Sequence, residues 1–103
     1  MAMDDRTLLE AAARAGLGRT SIPNQAENMV AKGWSSLDSD GDAFRLLVKR
    51  RMTLEVDTAH ATVRHPDLAE PVTVDFKAVD LGEYEGARLA VTRAAAAMGG
   101  DDA

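Results

Sequence analysis

Apolar positions along this chain follow a helical period near both ends and in the middle, and a two-residue period in between. Residues 4 to 15, DDRTLLEAAARA, bring Leu8, Leu9, Ala12 and Ala13 onto one helical face, with Asp4 or Asp5 placed to cap the start. Gly16 followed by Leu17 reads as a glycine stop with an apolar residue beyond it. From Asp42 to Arg51 the helical period returns, and Phe44, Leu47 and Val48 share a face. MTLEVD (52 to 57) then alternates, Leu54 and Val56 facing one way, Glu55 and Asp57 the other. HATVRH repeats the alternation, and DTAH between the two is the hairpin loop. Pro66 and Pro71 bracket a loop, after which VTVDFKAV predicts a third strand with Val72, Val74, Phe76 and Ala78 on one side. The last helix runs from about Glu83 to Met98. Tyr84, Ala87, Val91, Ala94, Ala95 and Met98 form its apolar face, and Gly99-Gly100 stops it, leaving 98 to 103 as a frayed tail. The alanine run 94 to 97 reads as ordinary helix filler.

The stretch from 18 to 36 has no clear period. GRTSIPNQ is turn-like, because Pro23 disfavours helix at Ile22, and ENMVAK reads as an extended segment that adds an edge strand if it pairs. The pattern predicts one α/β (α+β) domain over residues 1–103, in the order α–(β)–α–β–β–β–α. A small antiparallel sheet of three to four strands is covered by two or three helices on at least one face. The other face stays open or closes in a homodimer.

Composition narrows the classes. Hydrophobic residues make up 46% of the chain but aromatics only 4%, so the core must be thin and rich in alanine. With no cysteine, disulfides, thiolate metal sites and cysteine nucleophiles are excluded. No apolar run reaches the roughly 20 residues that span a bilayer, and MAMDDRTLLE lacks the basic start of a signal peptide. The expectation is a cytoplasmic protein that acts in a host cell, away from membranes. A net charge of −5 and a pI near 4.9 disfavour binding to duplex nucleic acid.

LDSDGDAF (37 to 44) resembles a calcium loop at first sight. Such a loop needs oxygen ligands at its first, third and fifth positions, glycine at the sixth and glutamate at the twelfth. Counting from Asp38, Asp40 and Asp42 fit, but the sixth residue is Phe44 and the twelfth is Lys49. The metal reading fails on geometry. The helix-start reading fits better: Asp38 or Asp40 caps the helix, Asp38, Asp40 and Asp42 lie at the positive end of its dipole, and Lys49, Arg50 and Arg51 lie at the negative end.

The stretch KGWSSLDSDGDAFRLLVKRRMTLEV resembles a family of small tailed-bacteriophage and prophage proteins. Their pattern is tryptophan-asparagine-proline-leucine, a short acidic stretch, then aspartate-glycine-aspartate-alanine-leucine-arginine-leucine. Trp34, Leu37, Asp40, Gly41, Asp42, Ala43, Arg45 and Leu46 stand on matching positions. RTLLEAAARAGL and ARLAVTRAAAAMG are similar to the family's opening and closing helices, with Arg88, Ala90, Arg93 and Gly99 on matching positions. Ser35-Ser36 departs from the family's asparagine-proline. The resemblance implies a phage or prophage origin and no particular mechanism.

The search for chemistry finds few candidates. His60 and His65 fall on opposite strand faces and read as exposed hairpin residues. No nucleophile elbow, phosphate-cradling glycine loop or HExxH is present. The expectation is a protein that is not an enzyme and needs no cofactor or metal. Arg45, Lys49, Arg50 and Arg51 form a basic cluster that complements the helix dipole. Alternatively, Arg45, Arg88 and Arg93 frame a pocket for a nucleotide phosphate. Trp34 reads as a core plug, or as a partly exposed anchor for a partner.

Two functions of different class follow. The first is a non-enzymatic phage accessory protein that binds and inhibits a host protein, a defence component being one such target. The second is a module that sequesters a nucleotide signal, and a minor virion role ranks third. If the acidic run is a helix start, millimolar calcium leaves the melting temperature unchanged in a thermal denaturation series. A calcium-dependent rise of several degrees would reveal a bound ion.

Overall fold

A computed structural model describes residues 4–17 and 24–101, and the turn expected at Ile22-Pro23 lies outside them. The elements run α1 (Asp5–Leu17), α2 (Gln25–Ala31), α3 (Asp40–Lys49), β1 (Thr53–Val56), β2 (His60–Arg64), β3 (Val72–Asp75), α4 (Phe76–Val79) and α5 (Glu83–Asp101). The mixed helix-and-strand class and the antiparallel sheet are as expected from the periodicities. Several local readings need correction.

The sheet has the order β1-β2-β3, both pairs antiparallel. Its register pairs Leu54 with Val63, Val56 with Ala61, Ala61 with Val74 and Val63 with Val72. These apolar side chains share one face because side chains alternate along each strand. The opposite face carries Thr53, Glu55, Thr62, Arg64 and Thr73, with Arg64 Nε donating to Glu55 Oε1 at 2.8 Å. That face is polar throughout, and within the chain Thr53, Glu55, Arg64 and Thr73 are exposed on it. In the hairpin, Asp57 Oδ1 accepts the N–H groups of Ala59 and His60 at 2.8 and 2.7 Å. These bonds hold the Asp57 carboxyl below the ordinary aspartate value. The same holds for Asp4, whose Oδ1 accepts from Thr7 N–H and so caps α1. Both depressed values mean stabilisation that is present above the unfolded aspartate pKa and lost as pH falls through the folded one.

Helix α5 lies on the apolar face of the sheet, with α1 packed on its other side. Buried on two sides, it hides Ala90, Val91, Thr92, Ala94, Ala95, Ala96 and Met98, leaving Arg93 and Ala97 exposed over that stretch. Ala94, Ala95 and Ala96 of the alanine run are therefore core and not filler, and Ala97 alone of the run is exposed. Small side chains let two layers approach one helix. The helix also continues through Gly99 and Gly100 instead of stopping there. Glycine costs helix stability but does not forbid helical dihedrals.

Gly16 likewise fails to stop α1. A Cβ there would lie 3.2 Å from Leu46 Cδ1, so the glycine serves the close approach of α1 to α3. The segment ENMVAK, expected as extended, is helix α2, with Ala26 buried on α1 and Arg14 Nη1 donating to Glu27 Oε1 at 3.0 Å. Its stop was written in the sequence. Gly33, at φ 108, is the left-handed residue of a Schellman turn in which Trp34 N–H reaches Met29 O and Gly33 N–H reaches Val30 O.

The third strand ends at Asp75, short of the predicted Val79. Asp75 Oδ1 accepts the N–H groups of Lys77 and Ala78 and starts the single turn α4, leaving Ala78 exposed and burying Phe76. A local side-chain cap overrides strand propensity here. The Phe76 ring packs on Gly86, where an added Cβ would overlap it. Helix propensity alone predicts that Gly86→Ala stabilises by about 1 kcal/mol. The packing predicts the reverse sign, a loss of about 1–3 kcal/mol from overpacking. Chemical denaturation midpoints of the two proteins decide between them.

Candidate functional site

The acidic run becomes a strap that fastens α3 to α5. Ser39, not Asp38 or Asp40, is the side-chain cap of α3: its Oγ accepts from Asp42 N–H at 3.1 Å. Asp38 and the Ser35 hydroxyl bond each other through side chain and backbone. Asp42 accepts from Ser35 N–H at 3.0 Å and from Arg45 Nη1 at 3.5 Å. Asp40 accepts from Arg88 Nη1 at 2.5 Å, and Arg88 Nε donates to the Leu37 carbonyl at 2.7 Å. Each carboxylate has its own protein partner. Asp40 and Asp42 do lie in the first turn of α3 and Lys49 in the last, as the dipole argument expects.

Behind the strap, the fully buried Ser36 and Thr92 hydroxyls meet at 2.7 Å. Thr92 donates to the Arg88 carbonyl at 2.7 Å, so Ser36 supplies the proton between the two hydroxyls. Ser36 is thus the strap's inner anchor, and Ser35 belongs to its outer layer.

With α3 fastened in this way, its buried face is Ala43 and Leu46, with Leu47 half-buried. The predicted face of Phe44, Leu47 and Val48 is turned outward by one position. Phe44 is 64% exposed and Val48 58%, because the small side of the helix is the one that fits near α1 and α5. Tyr84, expected on the apolar face of α5, is 79% exposed at the start of that helix. These outward residues border a groove of about 530 Å³ between α3, α5 and β1. Leu54 and Val91 lie within it, Phe44 and Leu47 on one wall, Tyr84 and Ala87 on the other. Asp40 and Arg88 mark its polar end.

Beside the groove runs the free edge of β1. Asp57 N–H bonds to His60 O in the hairpin, so by antiparallel alternation the backbone groups of Leu54 and Val56 point away from β2. No backbone or side-chain bond takes up those groups among the described residues. Val56 itself is exposed.

The arginines proposed to converge do not. Arg45 is largely exposed and lines a separate cleft with Trp34, Met29 and Lys49. Arg88 borders the apolar groove, and Arg93 lies in another cleft beside Asp5, Asp38 and Glu85. Trp34 is half-buried against the core, between a plug and an anchor. The basic cluster also divides. Arg50 turns inward, its Nη2 3.8 Å from Met98 Sδ and 3.8 Å from Asp67 Oδ2, and its buried Nε has no hydrogen-bond partner among the described residues. Of the two histidines only His60 is an exposed hairpin residue. The His65 side chain is 13% exposed, its Nδ1 accepting from Asp67 N–H at 3.0 Å.

Among the described residues no helix is long and apolar enough to cross a membrane. The chain matches no protein-family model, and neither the curated proteins nor the solved structures contain a match.

Arg88, with a side chain only 16% exposed, ties the Leu37 carbonyl and the Asp40 carboxylate to α5. Arg88→Ala therefore removes two bonds from a half-buried cation and should cost about 1.5–3 kcal/mol. Asp40→Ala breaks only the exposed ion pair and should cost at most about 1 kcal/mol. Equal losses in denaturant melts would show that the Leu37 bond is not what holds the strap.

Proposed function

We propose that this is a non-enzymatic phage or prophage accessory protein that binds and inhibits a host protein, and that the groove between α3, α5 and β1 is its docking surface. The observation that carries the reading is the placement of Phe44 and Tyr84. The chain has very few aromatics, and these two of its four face solvent on either side of an apolar groove. Fully burying one such side chain is worth about 1.5–3 kcal/mol, so leaving both outside forgoes much stabilisation of a thin core. Exposed contiguous apolar surface on a small domain marks a site of association. Aromatic residues of this kind are the usual anchors of protein interfaces. The resemblance to tailed-phage proteins supports the origin of the protein, and a host protein is the partner that such an origin supplies.

The occupant is an apolar segment with basic flanks. The charged residues that line the groove are Asp40 and Arg88, which pair with each other, while Glu83 and Glu85 flank Tyr84 along the chain and the whole protein carries a net charge of −5. The net negative charge of the protein steers cationic surfaces towards it and repels anionic ones. Separation of Arg45, Arg88 and Arg93 into different clefts removes the support for nucleotide sequestration by those residues.

The test is a quantitative capture of host proteins by the wild-type chain and by Phe44→Ser and Tyr84→Ser variants. Both side chains are exposed, so the variants should melt at or above the wild-type temperature. A partner retained by the wild type should be weakened roughly thirtyfold or more by either change, as for a binding hot spot of about 2 kcal/mol. Undiminished capture by both variants would sink the groove reading.

A further inference from the structure

The turn that ends α3 carries a feature the docking groove does not use. Arg50 N–H reaches Leu46 O, Arg51 N–H reaches Val48 O and Met52 N–H reaches Leu47 O, the bonds of a Schellman turn. Its left-handed residue is Arg51, at φ 55. Glycine occupies the same position after α2 at Gly33, and glycine is what this conformation favours. An arginine there carries conformational strain, and its side chain has no hydrogen bond or ion pair among the described residues. Strain of this kind points to a use for the side chain.

Arg51 lies at a cleft of about 250 Å³ between the α3–β1 turn and the loop joining β2 to β3. Thr53, Arg64 and His65 share this cleft, with Pro66, Leu68 and Pro71 as an apolar wall. Thr53 and Arg64 are cross-strand partners, which brings hydroxyl and guanidinium side by side on the polar face of the sheet. Arg64 gives its Nε to Glu55, and no bond engages its terminal nitrogens among the described residues. His65 accepts from Asp67 N–H at Nδ1, so the neutral ring carries its proton on Nε2 and is a donor there. The nearby carboxylates Glu55 and Asp67 are held at Arg64 and at Arg50 and His65, and neither lines the cleft. In a chain of net charge −5, this is a pocket whose lining residues include two arginines, a histidine and a threonine and no acid.

We propose that this cleft binds a small phosphate monoester. Four donor side chains drawn from the turn, from both strands of a pair and from the following loop suit a tetrahedral group with three free oxygens better than a planar carboxylate. The Pro66–Leu68–Pro71 wall takes the organic part of the ester, and the volume restricts that part to a compact body. The site is separate from the docking groove in residues and in chemistry, so either can fail without the other.

Amide-resolved NMR titration of the full chain with ribose 5-phosphate, inorganic phosphate and ribose tests the assignment. Ribose 5-phosphate should shift Arg51, Thr53, Arg64 and His65 saturably, more tightly than inorganic phosphate, while ribose alone shifts none of them. Arg51→Gly should weaken binding at least tenfold and raise the melting temperature, because glycine relieves the left-handed strain while the charge is lost. His65→Ala should weaken binding with no such rise. Lys77→Ala, which deletes the same charge at an exposed position of α4, should leave the affinity unchanged. Shifts that do not saturate, or Arg51→Gly binding as the wild type does, would overturn the site. Equal affinity for inorganic phosphate would overturn the ester assignment.

Discussion

The fold depends on one helix being narrow enough to be buried from two directions. α5 separates the sheet from α1, and its inner positions are almost all alanine, with Val91, Thr92 and Met98 between. Each alanine buries little area, so the core gains stability from close approach and from the number of contacts more than from large side chains. Gly16 and Gly86 belong to the same economy of space. One admits Leu46 between α1 and α3, the other admits the Phe76 ring onto α5.

A core of this kind leaves the placement of α3 underdetermined by hydrophobic burial alone. Polar bonds complete it. Ser36 and Thr92 pair in a fully buried position, and Arg88 draws in Leu37 and Asp40. Buried polar groups satisfied on both sides specify one arrangement, because any slip would leave a hydroxyl unpaired. The consequence at the surface is direct. Once Ala43 and Leu46 are turned inwards, Phe44 and Val48 must turn out, and the apolar groove exists because the strap is polar.

The surface that results is divided by chemistry. The apolar groove ends at the Asp40–Arg88 pair and lies beside the β1 edge, where backbone groups of Leu54 and Val56 have no partner among the described residues. At the end of α3, beyond a strained turn, two arginines and a histidine line a cleft that no carboxylate lines, Glu55 being bonded to Arg64 and Asp67 lying beside His65. A protein with an acidic total can therefore present a cationic pocket locally. Net charge excludes extended polyanions more firmly than it excludes a single small anion.

Periodicity by itself determined the class of fold, the hairpin with its DTAH turn, the two long helices and the antiparallel order. Those features rest on interactions between residues close in sequence. Ligand spacing likewise removed the calcium reading of residues 37 to 44 from the sequence alone. The short helix α2 was legible in principle from Gly33, whose Schellman role needs a helix before it. What only the tertiary structure decided was rotation and convergence. Ala43 and Phe44 fit a helical stripe about equally, and the choice between them came from Arg88 and Thr92, more than forty residues away. Arg45, Arg88 and Arg93 looked like candidates for one pocket yet border different clefts. Arg51, Arg64 and His65 come together only because the β1–β2 register and the turn after α3 bring them there. Register and turn geometry are properties of paired segments, and a single segment read alone carries neither.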